Sequence, residues 1–309
     1  MTPHLSCDMI VELNTYGVVK ISGPDAKKFL QGQLTCHLDE VTPESTRLCA
    51  HCNPQGRIIS FSRILEWDNA YYLQMERNMA PIAIHALKKY AVFFKVEITN
   101  VSDELTAIGY QPLTINNLSA YLPTLPNETN DSIAHQDFIV VKIQSQYPRY
   151  LIMGKNIAIQ SLLKTPDLPI HLKSYENWKF QDIHVGLPTI YPETSGKFLP
   201  HEIGLQHLNA FSLSKGCYTG QEIIARMHYR GKLKTKVYRA AIRYNEAPMP
   251  GSDIYSIQPT GKMQSGSLID ISQEGYHNYV ALIITDENNA MNDHLFLESD
   301  ESTFFTILN

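Results

Sequence analysis

The sequence predicts an α+β protein that ends in a separate small all-β domain, and three observations carry that expectation. Val18 to Ile21 reads as a strand that runs directly into a Gly23-Pro24 helix start. Apolar residues recur with a helical period over 81–90 and again over 172–185. Beyond Gly231 the helical period vanishes, and six short strand-like runs follow, separated by Gly, Pro, Asn and Asp.

In chain order, Gly23-Pro24 opens a helix through Leu30, with Pro at the first helical position, where its missing N–H is no loss. Arg57 to Trp67 and Ala70 to Met75 predict two strands about a Trp67-Asp68-Asn69 turn. Pro81 to Tyr90 predicts an amphipathic helix with Ile84, Leu87 and Tyr90 on one side, and Phe93 to Ile98 is strand-like again. From Gln111 to Gln136 the chain is rich in Asn, Thr, Pro and Ser with little periodicity, which predicts a loop or weakly structured insertion. Strands resume at Phe138 to Ile143 and Tyr150 to Met153. A helix from Leu172 to Val185 places Leu172, Tyr175 and Trp178 on one stripe, and Gly186-Leu187-Pro188 stops it. The terminal runs are Val237 to Tyr244, Ile254 to Ile257, Ser267 to Ile271, Asn278 to Thr285, His294 to Glu298 and Thr303 to Leu308. They predict a barrel or a sandwich.

Length and composition fit that reading. At 309 residues the chain is long enough for about two domains and a sizeable core without disulfide staples. A content of 43% hydrophobic and 18% charged residues is too apolar for a disordered chain. No run approaches the roughly 18 apolar residues of a spanning helix, so no membrane partner is expected. The first basic residue is Lys20, unlike a signal or transit peptide, and Cys7, Cys36, Cys49, Cys52 and Cys217 are an odd, scattered set. Both observations predict a reducing, cytoplasmic setting. The net charge of −5 argues against a generally basic nucleic-acid coat protein.

Four stretches invite chemistry. Lys215 to Glu222 reads Lys-Gly-Cys-Tyr-Thr-Gly-Gln-Glu ahead of an apolar run, and Thr219 with Glu222 fits a capping box that starts a helix. Cys217 is thus expected just outside a helix amino terminus, where the dipole and nearby Lys215 favour its thiolate; the bland alternative is a packed thiol in a tight turn. Cys49-Ala50-His51-Cys52 has C-x-x-C spacing but no second pair, so two incidental thiols and no metal site are expected. His201-Glu202 lacks the second His that a zinc-protease motif requires. Between Arg226 and Arg239 lie Arg226, Arg230, Lys232, Lys234, Lys236 and Arg239 with no acid. On a strand, the three lysines would share one face, either as a rail for phosphates or a polycarboxylate tail or as guards of an edge strand. Met263 to Asn309 has no Lys or Arg and eight acids, and should repel nucleic acid.

The Lys215 to Glu222 run resembles the signature of the YgfZ family of folate-binding proteins, relatives of the glycine cleavage aminomethyltransferase, the T-protein. In matching order stand Phe29 to Thr35, Ala50-His51-Cys52 with Gly56, Leu87 to Phe93, Gly186-Leu187-Pro188 and Phe198-Leu199-Pro200, which together span most of residues 10–240. The resemblance implies a T-protein-like fold. Residues 1–230 would form two interleaved α/β modules, the second roughly 50–155, and residues 231–309 a small β-barrel, all arranged around a central folate channel. It implies tetrahydrofolate or a folate derivative as ligand. Tyr16, in place of a Trp, and Trp178 match folate-contacting aromatics, although pattern alone makes both rings core. Lys215, Gly216, Cys217, Tyr218, Gly220, Gln221 and Glu222 are the signature residues, with Cys217 the functional cysteine. The implied role is assistance in the maturation or repair of iron–sulfur enzymes, including tRNA-modifying ones, with those enzymes or assembly proteins as partners. A folate-dependent aminomethyl transferase and a tRNA-binding module acting through the basic run are the alternatives. Arg226, Arg230, Lys232, Lys234 and Lys236 would meet a polyglutamylated folate tail.

Departures from the family pattern are His184 in place of Glu, and His201 and Gly204 in place of Gln and Asn, which imply rearranged folate contacts. Where the T-protein places an acidic pair after Gly-x-Ile-x, this chain has Ser60 and Phe61. Without that carboxylate, the acid that assists the attacking folate amine is missing.

Overall fold

The computed structural model describes residues 9–112, 122, 124–164, 171–172, 174–231, 233–259, 261–291 and 294–308, with the side chains of 171–172 excepted. Cys7, Lys232, the side chain of Leu172 and part of the 111–136 segment lie outside them. Internal contacts divide the chain into two units. The first is Met1–Gln31, His37–Cys49 and Ser62–Trp178; the second is Gly32–Cys36, Ala50–Phe61 and Lys179–Asn309.

Through residue 184 the elements are β1 (Met9–Glu12), β2 (Tyr16–Ser22), α1 (Ala26–Gln33), β3 (Arg47–Cys52), β4 (Ile58–Trp67), β5 (Ala70–Glu76), α2 (Met79–Ala91), β6 (Glu97–Asn100), β7 (Leu105–Gln111), β8 (Ser132–Ala134), β9 (Phe138–Lys142), β10 (Tyr150–Lys155), α3 (Asn156–Leu163), β11 (His171–Leu172) and α4 (Tyr175–His184). A six-stranded sheet runs β11-β1-β7-β10-β9-β8, and a five-stranded sheet runs β3-β4-β5-β2-β6.

The two-residue period of extended backbone explains how the six-stranded sheet is covered on both faces. Met9, Val11, Ala107, Ile139, Val141, Leu151 and Met153 join one cluster with Val18, Leu65, Trp67 and Tyr72 of the other sheet. Their sequence neighbours Ile10, Ile108, Tyr110, Val140, Tyr150 and Ile152 face a second cluster with Ile159 of α3. The β4–β5 hairpin turns where expected. Asp68 and Asn69 take φ of 49° and 55°, the left-handed pair that a tight two-residue hairpin needs.

From residue 221 onward come α5 (Gln221–Arg230), β12 (Lys236–Arg243), β13 (Asp253–Gln258), β14 (Gly261–Gly275), β15 (Asn278–Thr285), α6 (Glu287–Met291), β16 (Leu295–Leu297) and β17 (Asp300–Leu308). The six strands close into a barrel, β12-β15-β14-β13-β16-β17, which decides between barrel and sandwich. Its interior is filled by Ala240, Ile242, Ile254, Leu268, Ala281, Ile283, Leu295 and Phe305. Closure pairs β12 with β15 along its length and with β17 over Arg239–Ala241, so it is no edge strand there, whereas Lys236 pairs only with Thr285.

Several local expectations are corrected. Pro24 lies in a turn two residues before α1 rather than at its first position. The buried stripe of α2 is Met79, Ala80, Ala83, Ala86 and Leu87, because small residues allow the closest approach; Ile84 and Tyr90 stay half-buried. Phe93 is in an exposed turn, and the strand begins only at Glu97. Leu172 pairs in β11 with Ile10, so α4 starts three residues later. Short β8 and α6 appear where loops were expected, each too brief to show a period.

Candidate functional site

The signature run forms a loop into α5 within the second unit. Gly220 is the residue before the helix, with φ of +84°, and a Cβ there would stand 2.7 Å from the Asn53 carbonyl oxygen and 3.2 Å from the Cys52 Cβ. Only glycine meets both demands. The expected Thr219–Glu222 capping box is therefore not formed. Thr219 N–H instead donates to the Gly32 carbonyl, and Gln221 Oε1 accepts from Tyr218 N–H.

Lys215 is buried, and its ammonium donates to the carbonyls of Leu34 (2.6 Å) and Cys36 (2.7 Å) while lying 4.8 Å from the centre of the Tyr218 ring. It ties the loop down. Lying two residues before Cys217, its ammonium donates to these backbone oxygens and keeps its positive charge there. Tyr218 is buried, and among the described residues its hydroxyl has no hydrogen-bond partner; burial, then Cys52, pushes its pKa up. Among the described cysteines Cys217 is exposed, whereas Cys36, Cys49 and Cys52 are buried. His51 bridges to Leu34, whose carbonyl Lys215 holds; among the described residues neither of its ring nitrogens has a hydrogen-bond partner, and burial pulls its pKa down to about 4. The imidazole is neutral. Among the described residues no group of three or more His, Cys, Asp or Glu is gathered to hold a metal.

The first unit brings Tyr16 and Trp178 together. Trp178 Nε1 donates to the Tyr16 hydroxyl at 3.0 Å. Trp178 is wholly buried, its ring lying against the backbone of Gly109, where any Cβ would collide with it. The Arg149 guanidinium sits 4.2 Å from the indole centre and donates to the Trp178 carbonyl at 2.9 Å. Tyr16 is half-buried and meets the half-buried ring of Tyr175 edge-on, with centroids 6.5 Å apart. Of the two expected aromatics, Tyr16 keeps accessible surface and Trp178 positions it. Arg149, Gly109 and Tyr175 were not singled out as site residues, since their roles depend on pairings across tens of residues.

The basic run is dispersed. Arg226 and Arg230 are exposed on α5, and β12 begins only at Lys236, so the expected alternation of Lys234 and Lys236 on one strand face is absent; Lys232 lies outside the described residues. Lys236 pairs with Glu287 at 4.0 Å, and Arg239 donates to the His184 carbonyl at 3.0 Å. Burial, then Arg239, lowers the His184 pKa. Lys234 joins Arg57 and Lys197 along a cleft of about 950 Å³. The cleft also holds Glu202, Asp253 and Asp286, each accepting a hydrogen bond from nearby protein.

The departures have local explanations. His201 is buried beside Phe211 and His228, with its pKa lowered by burial and then by His228. Gly204 has φ of +76°, and a Cβ there would stand 2.9 Å from Val237 Cγ1, so glycine suits this turn. Ser60 and Phe61 are both buried and bring no carboxylate.

No protein-family model matches the chain. Curated relatives do: the "tRNA-modifying protein YgfZ" of Pectobacterium atrosepticum is 30% identical over 285 residues, spanning 92% of this chain and 85% of the relative. The chain belongs to the YgfZ family. The protein of the same name from Buchnera aphidicola subsp. Schizaphis graminum is 34% identical over 244 residues, covering 78% of this chain and 76% of that one. Among solved structures, the glycine cleavage aminomethyltransferase T of Bartonella henselae matches 98% of this chain and 85% of its own with a TM-score of 0.76. At 12% identity this shows a shared fold, and this YgfZ-family chain has the T-protein fold. Among the described residues no helix is long and apolar enough to cross a membrane.

Proposed function

We propose that this chain binds tetrahydrofolate or a related reduced folate and supports tRNA modification in the cytoplasm, through the maturation or repair of iron–sulfur enzymes that modify tRNA. The observation that carries this reading is the exposed Cys217 on a loop held rigid by Lys215, Tyr218 and Gly220, in a family whose relatives bear the name tRNA-modifying protein. The T-protein fold supports the folate part. A pterin or aminobenzoyl ring needs flat apolar surface with a polar edge, and the half-buried Tyr16 and Tyr175 rings fit that need. A bound reduced folate supplies nitrogens that accept a one-carbon unit. Trp178 holds the Tyr16 hydroxyl in place, and Cys217 is the residue offered to a partner or intermediate. Exposed Arg226, Arg230 and Lys234 attract a polyanion by charge.

The test has two arms. Calorimetry of the full chain with tetrahydrofolate should show saturable binding that Tyr16→Ala weakens by about 1–3 kcal/mol, the range for a lost stacking ring. In cells lacking their own family member, the chain should restore a tRNA modification installed by an iron–sulfur enzyme, and Cys217→Ser should not. Absence of folate binding, or full rescue by Cys217→Ser, defeats the reading. Repeated turnover of an aminomethyl-lipoyl carrier would instead favour the transferase, against the absence of a carboxylate at Ser60 and Phe61.

A further inference from the structure

We infer that the tip of α2 is an RNA-docking surface on which the Phe93 ring stacks a splayed-out base while Lys28, Lys88, Lys89 and Lys95 meet the flanking phosphates. The inference deepens the tRNA-directed reading above and rests on it for the choice of an RNA target.

Past Ala91 the chain turns, and Val92 and Phe93 are 75% and 84% exposed side by side. This is a presented surface rather than a frayed helix end. Phe94 packs on Phe29 with ring centroids 5.4 Å apart, Phe94 N–H donates to the Ala91 carbonyl at 2.9 Å, and the Asp25 carboxylate accepts from Lys95 N–H at 2.8 Å. With the next residues anchored on both sides, Phe93 is left pointing outward.

The charge around it runs against that of the whole molecule. Residues 79–96 contain Lys88, Lys89 and Lys95 and no acid, in a chain of net charge −5. Lys28 lies on α1 beside Phe29, and Lys88 and Lys89 lie in the last turn of α2. All four lysines are exposed, and among the described residues none is ion-paired; Lys27 is matched by Asp39 at 2.8 Å. Such a patch is complementary to a polyanion.

Size and shape select among polyanions. A stable protein interface buries about 800 Å² per partner, far more than two apolar side chains offer. A membrane-lying helix needs an apolar face along its length, and that of α2 is buried in the protein. Single-stranded or looped RNA needs one aromatic face per unstacked base and cations for its phosphates, which is what the tip provides.

The experiment is anisotropy titration of the full chain against an unmodified tRNA transcript and a short oligouridine over a range of salt. Four lysine contacts predict a slope of log K on log salt of about −3, and Lys88→Gln with Lys89→Gln should reduce its magnitude by about 1.4. Phe93→Ala should weaken binding by roughly five- to a hundredfold without changing the slope, and Phe93→Tyr should restore it. Unaltered RNA affinity in both sets of variants overturns the inference. So does binding of phosphatidylserine vesicles in place of RNA. Folate calorimetry on the same samples separates the two readings, because Phe93→Ala should leave folate affinity unchanged. Loss of folate binding from the parent chain with RNA binding intact would remove the folate reading and leave the surface standing.

Discussion

The aromatic corner at Trp178 and the loop at Cys217 both carry residues that the family resemblance singles out, yet the structure treats them in opposite ways. Trp178 is sunk among the strands of the first unit, with its N–H spent on Tyr16 and the Arg149 guanidinium over its ring. Cys217 stands in solvent while its neighbours Lys215, Tyr218 and Gly220 hold the loop in the second unit. A recognisable residue thus either builds a posture or is displayed by one. Burial and bonding tell which. The clearest way to break the contrast is Trp178→Ala, which empties a fully buried indole site and should lower stability by about 4 kcal/mol in urea unfolding. A loss under about 1 kcal/mol would mean that the corner is not structural.

The floor of the loop gives the next largest effect. His51 is buried and neutral with a pKa near 4, whereas in the unfolded chain it has the ordinary value of 6.5. Between those values the unfolded chain holds a proton that the folded chain lacks. Stability is therefore full above about pH 6.5 and falls as pH drops toward 4, by up to about 3 kcal/mol from this group. His51→Leu should flatten that part of the stability profile. An unchanged slope between pH 6.5 and 4 would show that another group sets it.

Lys215 sharpens the comparison from the side of the scaffold. Lys215→Met keeps the aliphatic stem and removes the ammonium that caps the Leu34 and Cys36 carbonyls, which should cost about 2 kcal/mol. The same change should make Cys217 react faster or more heterogeneously with an alkylating agent, as the loop loosens. A variant that is as stable as the parent and alkylates identically would show that the lysine does not tie the loop.

What was legible in the sequence was periodic or local. The β4–β5 hairpin showed in Trp67-Asp68-Asn69, and the barrel strands showed in apolar runs cut by Gly, Pro and Asn. The Cys217 loop was marked by a contiguous run. What was hidden depended on distant partners. Thr219-x-x-Glu222 has the letters of a capping box, but Gly220, at φ of +84° and packed where a Cβ would meet Asn53 and Cys52, is the residue before the helix, one position later. The carbonyls of Leu34 and Cys36 that hold Lys215 lie some 180 residues away in sequence. The burial of Trp178 depended on Gly109 and Arg149, and the buried pair of Lys179 with Asp270 joins residues 91 apart in sequence. No window of a dozen residues contains such information.

The smallest expected effect on stability is at Cys217, and it is the one that most sharply divides the two regions. Cys217→Ser exchanges sulfur for oxygen on an exposed side chain whose loop is held by other residues, so unfolding free energy should move by no more than about 0.5 kcal/mol. Folate affinity should persist, because the ring contacts assigned to Tyr16 do not involve the thiol. Rescue of the tRNA modification should nevertheless fail, since hydroxyl oxygen at that position is neither a soft metal ligand nor a partner for thiol exchange. The three readouts together discriminate where any one would not. Loss of rescue with a large loss of stability would place Cys217 with Trp178, as a residue that builds the fold. Loss of rescue with stability and folate binding intact assigns it a chemical task, and that separation is what an exposed cysteine on a rigid loop is expected to show.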